Sequence, residues 1–363
     1  MLYNLFYQFR DIWIGFNVLK YITFRALASA VFGFFFGWYI IGKAKDFLAS
    51  LQFLQVTRDE KDCPALSEWH KSKRTVPTMG GVFIILALSL SWLLWVDWRS
   101  PFLWLGLYVL FHLGLVGFLD DARKVLSQSS RGLSKRTKLI NQAIVGMVVG
   151  GYLYFQPWFP KTMHFPFFKN VVVPLGIGFI IWAILVISAT SNAVNLTDGM
   201  DGLAIGCVIM TALTYAVLSY VAGNVRMAQY LWVPYIRGAG ELSVMCAGIF
   251  GVGLGYLWYN AYPAEIFMGD SGALALGGVL GMIALAVKQE WLLVIAGGIF
   301  VFETLSVILQ VFSFRVFGRR IFKVAPLHHH YQVKGKHEVK VIVRFWIISG
   351  ILALLALSTL KLR

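Results

Sequence analysis

Five aspartates stand where long apolar stretches end or begin: Asp120 and Asp121 in FLDD, Asp198 and Asp201 in SNAVNLTDGMDGLA, and Asp270 in NAYPAEIFMGDSG. A charge at the edge of an apolar helix is expensive if it is left unpaired near hydrocarbon. One such aspartate reads as a helix cap, because Asp readily accepts from the free amides of a first turn. Five of them, two adjacent, ask for more. The stretches 192–201 and 261–271 hold no Lys or Arg, so pairing within them cannot neutralise Asp198, Asp201 and Asp270. A divalent cation would. Oxygen ligands without paired Cys or spaced His suit Mg2+, with Mn2+ as a substitute, and Mg2+ commonly takes one or two carboxylates plus phosphate oxygens.

Spacing refines this picture. Asp120 and Asp121 point about 100° apart on a helix, which predicts different tasks for the two. Asn192, Asn195 and Asp198 recur every third residue, so neighbours occupy adjoining parts of one helix surface. Gly199 and Gly202 let the backbone turn there or a ligand come close. Asn260 stands at the other edge of the Asp270 stretch. Phe267, three residues before Asp270, is placed to stack on a base, with core packing as the plain alternative among 29 Phe. His328, His329 and His330 in PLHHHYQ lack the i, i+4 spacing of a helical zinc pair. Beside Arg319, Arg320 and Lys323 they suit phosphate contact, or a basic loop lying at lipid headgroups. Lys73, Thr75 and Thr78 precede the second apolar run in KSKRTVPTMGG.

The elements that must position these residues are membrane helices. Of 363 residues 58% are hydrophobic and only 13% charged, against about a quarter charged in soluble domains. Ten apolar segments approach or reach the roughly 20 residues that span a bilayer: 22–41, 79–96, 102–119, 139–156, 171–191, 202–222, 242–260, 272–287, 291–314 and 341–360. The reading is an all-α polytopic membrane protein, with one domain over 1–363 and no tandem repeat. Odd-ranked connections carry 20 Lys and Arg and even-ranked ones 6. The positive-inside rule therefore puts the odd connections, with all the polar clusters, in the cytoplasm and both termini outside. That rule also explains the net charge of +15, so nucleic acid is not an expected partner. Residues 1–21 read as an aromatic interfacial lead-in without the pattern of a cleaved signal. Cys63, Cys207 and Cys246 are scattered and read as free thiols. Glycine pairs four apart, such as Gly33/Gly37, Gly251/Gly255 and Gly277/Gly281, read as helix-packing positions. Carboxylates gathered at one face, with no inverted repeat, weigh against a transporter, whose ionisable groups sit near the midplane.

In this order, PTMGG at 77–81, FLDD at 118–121, NAVNLTDGMDGLA at 192–204, FMGDSG at 267–272 and PLHHH at 326–330 resemble the polyprenyl-phosphate sugar-1-phosphate transferases. Within that superfamily they resemble the phospho-N-acetylmuramoyl-pentapeptide transferases, and PTMGG and HHH favour this branch over relatives taking smaller sugar nucleotides such as UDP-GlcNAc. The resemblance covers almost the whole chain. It implies transfer of phospho-MurNAc-pentapeptide from UDP-MurNAc-pentapeptide to undecaprenyl phosphate, giving lipid I and UMP with Mg2+, for peptidoglycan synthesis. It also implies a homodimer in the bacterial cytoplasmic membrane with cytoplasmic active-site loops. Asp270 would be the Mg2+ ligand, with Asp120, Asp121 and His329 as further catalytic groups. Asn192, Asn195 and Asp198 would line the diphosphate region. Lys73, Thr75, Asp201, Phe267 and Gln310 match positions tied to the nucleoside, and His328 and His330 to the substrate phosphates. Asn260 joins the substrate-binding set. A phosphate monoester has a second pKa near ~6, so the acceptor is mostly dianionic at neutral pH. Direct attack is then favoured over an aspartyl-phosphate intermediate.

Overall fold

The computed structural model describes residues 2–51, 53, 76–129 and 132–361. The helices are α1 (Leu2–Phe6), α2 (Ile22–Ser50), α3 (Gly81–Trp95), α4 (Pro101–Leu126), α5 (Lys135–Phe155), α6 (Gly178–Thr197) and α7 (Leu203–Ala222). They continue with α8 (Val225–Leu231), α9 (Gly240–Asn260), α10 (Gly269–Ala286), α11 (Glu290–Ala296), α12 (Gly298–Phe317), α13 (Leu327–Val333) and α14 (Glu338–Ser358). Among the described residues eight helices are long and apolar enough to cross a membrane. The other two segments read from the sequence are also helical. Helix α3 is apolar but has 15 residues, and α5 opens on Lys135, Arg136 and Lys138. The chain is a multi-pass membrane protein.

Three features depart from the sequence reading. Helices α2 and α4 run on to Ser50 and Leu126, past the apolar stretches that end at 41 and 119. Hydropathy marks the hydrocarbon-facing part of a helix, whereas the helix itself continues until its backbone groups are capped. Asp120 and Asp121 are therefore inside α4. The start of the 171–191 segment is strand: β1 (Thr162–Phe165) and β2 (Phe168–Pro174) form an antiparallel hairpin with Thr162 opposite Pro174. Val171, Val172 and Val173 are β-branched and favour that state. The 291–314 segment breaks at Gly297 into α11 and α12.

Helix α10 is the axis of the fold. Every residue from Ser271 to Ala286 is buried, as expected of a helix apolar on all sides. It packs between α4 and α6, while α9 packs between α2 and α7. Small residues set these distances. A methyl group on Gly277 would lie 2.6 Å from the Thr190 carbonyl oxygen, and one on Gly251 2.0 Å from that of Ala30. Cys207 and Cys246 are buried free thiols, and Cys63 lies outside the described residues.

The carboxyl ends of α4 and α6 meet the amino end of α10, and this is the polar end of the bundle. The hairpin lies at the other end of α10, roughly 27 Å away at 1.5 Å per helical residue. There Lys288 is buried against the rings of Phe179 and Phe159, 4.4 and 5.5 Å away, and pairs with Glu290 at 3.0 Å. Lys288 is thus a packed residue rather than an exposed loop charge. The basic asymmetry gives an expected result: a cysteine replacing Ser129 reacts with an impermeant thiol reagent only from the cytoplasm, and one replacing Met163 only from outside. Labelling of position 129 from outside would reverse the proposed sidedness.

Candidate active site

Two helices, α4 and α10, bring three of the aspartates together. Asp120, Asp121 and Asp270 each place a carboxylate oxygen within 4.8 Å of the others, and Asp120 is fully buried. Glycine makes this possible at two positions. A methyl group on Gly117 would stand 2.3 Å from the Asp270 carbonyl oxygen, so α4 and α10 touch at the backbone. Gly269 adopts a left-handed φ of 73°, and a methyl there would meet the Asp121 carboxylate at 2.5 Å. The neighbouring aspartates face different partners. The Leu133 amide donates to Asp120 Oδ1 at 2.6 Å, and the Ser271 amide donates to Asp121 Oδ2 at 3.1 Å.

Two lysines, unremarked in the sequence, share this cluster. Lys124 Nζ lies 2.6 Å from Asp120 Oδ2, 3.2 Å from Asp270 Oδ2 and 3.7 Å from Asp121 Oδ1. Lys138 lies 2.9 Å from Asp120 Oδ2 and also pairs with Asp270. The stretch 261–271 supplies no cation to Asp270, as expected, but the fold brings it two from elsewhere. Charge was balanced connection by connection, whereas the fold assembles the site from several, and the 120–138 connection supplies both lysines. The signal was present in part, since Lys124 stands three and four residues beyond the aspartate pair. Three carboxylates against two ammonium groups still leave a net negative charge. The donors are all oxygen, crowded on one spot, and fit a hard divalent cation.

The NAVNLTDG stretch closes one side. Asn195 donates to Asp270 Oδ1 at 2.9 Å, which ties α6 directly to the cluster. Asn192 donates to Gln142 Oε1 and to the Ser188 carbonyl. Asp198 caps α6. Burial pushes its carboxyl up to about 8, with the charges of Asp270, Asp121 and Asp201 adding to the effect. Such a group gives up its proton when positive charge arrives.

Other candidates stand further back. Asp201 accepts from the Ala264 amide at 3.1 Å. Asn260 accepts from the Gly202 amide and donates to the Ile266 carbonyl. Both brace the connection that leads into α10. Gln310 accepts from the Ile321 and Phe322 amides and donates to the Phe322 carbonyl, which organises the loop after α12. The PTMGG stretch pairs with the segment before Asp270: Phe267 N–H donates to Pro77 O, Gly80 N–H to Phe267 O and Gly81 N–H to Met268 O, at 2.8, 2.8 and 2.9 Å. Phe267 is half-buried. Lys73 and Thr75 lie outside the described residues.

The histidines form a short helix, α13, rather than a loop. His328 is fully buried above Gly199, where a methyl group would be 2.3 Å from its Nε2. Its Nδ1 lies 3.2 Å from Glu303 Oε2, and its backbone N–H donates to Glu303 Oε1. Glu303 is itself fully buried. A lone acid in an apolar helix is a signal of function in a membrane protein, and it was missed in the sequence. His329 Nδ1 faces Gln332 Oε1 at 2.9 Å. His330 Nδ1 accepts from the Lys323 amide, which places the ring proton on Nε2. Burial, then Lys334 and Lys323, hold its imidazole below the ordinary value and so neutral at pH 7. His328 is the imidazole set against the Asp198–Gly199 turn. Glu303→Gln keeps the volume and an acceptor but removes the charge behind His328. We expect kcat to fall about tenfold with little change in thermal stability; an unchanged kcat would make Glu303 a packing group.

A membrane-embedded helical bundle with an acidic, lysine-flanked site at one end belongs to a class that the family comparison defines: residues 103–288 match glycosyl transferase family 4. Curated relatives refine this over the full length of both chains. Phospho-N-acetylmuramoyl-pentapeptide-transferases of Citrifermentans bemidjiense and Syntrophus aciditrophicus are 49% and 50% identical to the chain, with 100% of each chain covered. That of Desulfotalea psychrophila is 47% identical over the same full span. The chain belongs to the phospho-N-acetylmuramoyl-pentapeptide transferase family.

Proposed function

We propose that this chain transfers phospho-MurNAc-pentapeptide from UDP-MurNAc-pentapeptide to undecaprenyl phosphate, forming lipid I and releasing UMP in peptidoglycan synthesis. The observation that carries this reading is the carboxylate–lysine cluster standing beside a groove for an apolar chain. A cavity of about 310 Å3 begins at Ala193 and Val194, next to Asn195, and runs between α6 and α12 to Trp182 and Trp291. Its walls include Leu185, Leu293 and Phe300. From Ala193 to Trp182 it spans roughly 16 Å along α6, enough for several prenyl units. The acceptor's phosphate then sits at the polar end and its hydrocarbon in the groove.

The site fits Mg2+, which Asp270 would hold with Asp120 and Asp121 beside it, and the ion would supply positive charge to the diphosphate. An acceptor phosphate oxygen attacks the β-phosphorus of the donor. The bond from that phosphorus to the oxygen bridging to the α-phosphate breaks, and UMP leaves with the electron pair. Lys124 and Lys138 add charge on the same side, and Asn195 fixes the orientation of Asp270. Because the acceptor is largely dianionic, no strong base is required, and Asp120 orients it or takes a residual proton. The reading places the protein in the bacterial cytoplasmic membrane, with this site facing the cytoplasm, as a homodimer. The test is purified protein with both substrates and Mg2+. UMP and a butanol-extractable sugar should appear together, and only when the lipid is present. UMP release without lipid would contradict direct transfer.

A further inference from the structure

A second polar feature lies on the outer side of α13 and α14, apart from the carboxylate cluster. A cleft of about 130 Å3 is lined by Tyr331, Lys336, Lys340, Arg344, Phe345 and Ile348. Lys340, Arg344 and Ile348 are each four residues apart, so they form one stripe on α14. Lys336 joins them from the turn before that helix. Tyr331 comes from α13, its ring edge-on to Phe345 at 6.3 Å between centroids. Lys336, Lys340 and Arg344 take part in none of the ion pairs among the described residues. The nearest acid in sequence, Glu338, is turned inward: it is buried and accepts from the Asp201 amide and from Gln332. The outward face is therefore uniformly basic. Further along α14 the exposed surface from Ile347 to Leu355 is apolar, with Ile348, Ile351 and Leu355 in succession.

Basic residues at the mouth of a membrane helix, followed by an apolar track, match the two parts of an anionic lipid. The cleft, at about 130 Å3, has room for a phosphate group beside its three cations. The track is also separate from the groove between α6 and α12. We propose that Lys336, Lys340 and Arg344 bind the phosphodiester of an anionic phospholipid whose acyl chain lies along Ile348, Ile351 and Leu355. Because Tyr331 follows the three histidines directly in α13, a lipid seated here bridges the histidine helix to the membrane helix behind it.

The experiment is native mass spectrometry of the full-length protein released from neutral detergent, titrated with phosphatidylglycerol or phosphatidylcholine. Wild type should bind phosphatidylglycerol about tenfold or more tightly than phosphatidylcholine. Replacing Lys336, Lys340 and Arg344 together by Gln should erase that preference and leave phosphatidylcholine binding unchanged. Should the triple variant fold poorly, Lys340→Gln alone, at an exposed position, should weaken phosphatidylglycerol about fivefold. Equal binding of the two lipids by wild type, or an undiminished preference in the variants, would overturn the proposal. So would displacement by inorganic phosphate at concentrations matching the lipid, which marks a free-anion site. Displacement by undecaprenyl phosphate at equal concentration would assign the cleft to the acceptor instead.

Discussion

Asp270→Asn should lower kcat by on the order of 10^3-fold, and raising Mg2+ should not restore it. The substitution is nearly isosteric, so the fold should survive. Asp270 sits at the amino end of the fully buried α10, with its backbone packed against Gly117. Its carboxylate touches Lys124, Lys138 and Asn195. Removing that charge leaves Asp120 and Asp121 facing two lysines, a balanced set with no surplus to attract a divalent ion. The enzyme should also stop in EDTA and recover with Mg2+ or Mn2+. A variant within tenfold of wild type, or full turnover in excess chelator, would remove the metal from the account. Asp120→Asn separates the roles, because Asp120 is fully buried and is held by the Leu133 amide and the two lysines. Its kcat should fall while nucleotide binding persists; the opposite pattern would exchange donor and acceptor sides.

Much of this was legible in the sequence, and what was not has identifiable causes. The ten apolar segments mark helices because burial in lipid demands internally satisfied backbone. Their ends were misjudged where polar turns continue a helix beyond hydrocarbon, as at Ser50 and Leu126. The ββ hairpin escaped because a valine-rich strand and the start of an apolar helix look alike in hydropathy. The sequence groups five aspartates by their expected membrane face, and the fold brings Asp120, Asp121 and Asp270 of these into one cluster. Their lysine partners were not legible, since Lys138 reaches Asp270 across 132 residues of chain. Glu303 is hidden for the opposite reason: a single acid in an apolar helix has no neighbouring charged residues to mark it. PTMGG was read beside candidate ligands, yet its described backbone amides pair with Phe53, Phe267 and Met268. That motif acts here by holding the segment that leads to Asp270.

Donor choice is the second large effect. The carboxylate cluster and the lipid groove serve any sugar-1-phosphate transfer, so they cannot distinguish UDP-MurNAc-pentapeptide from UDP-GlcNAc. We expect discrimination to come from the two longest polar connections, 42–78 and 315–340, which carry 14 Lys and Arg, the first of them largely outside the described residues. The larger donor has a lactyl-peptide arm bearing carboxylates, and basic residues around it favour its binding. The second of these connections also carries α13, whose His328 rests on the Gly199 turn beside Asp198. A donor reaching from the carboxylates to this helix engages both regions, whereas a short sugar nucleotide engages one. The direct measurement is kcat/KM for UDP-MurNAc-pentapeptide and for UDP-GlcNAc, with the same undecaprenyl phosphate and Mg2+. The pentapeptide donor should be favoured by at least about 100-fold, equivalent to roughly 2.7 kcal/mol of discrimination in the transition state. Equal efficiency with the two donors, or turnover of UDP-GlcNAc alone, would contradict the assignment to pentapeptide transfer.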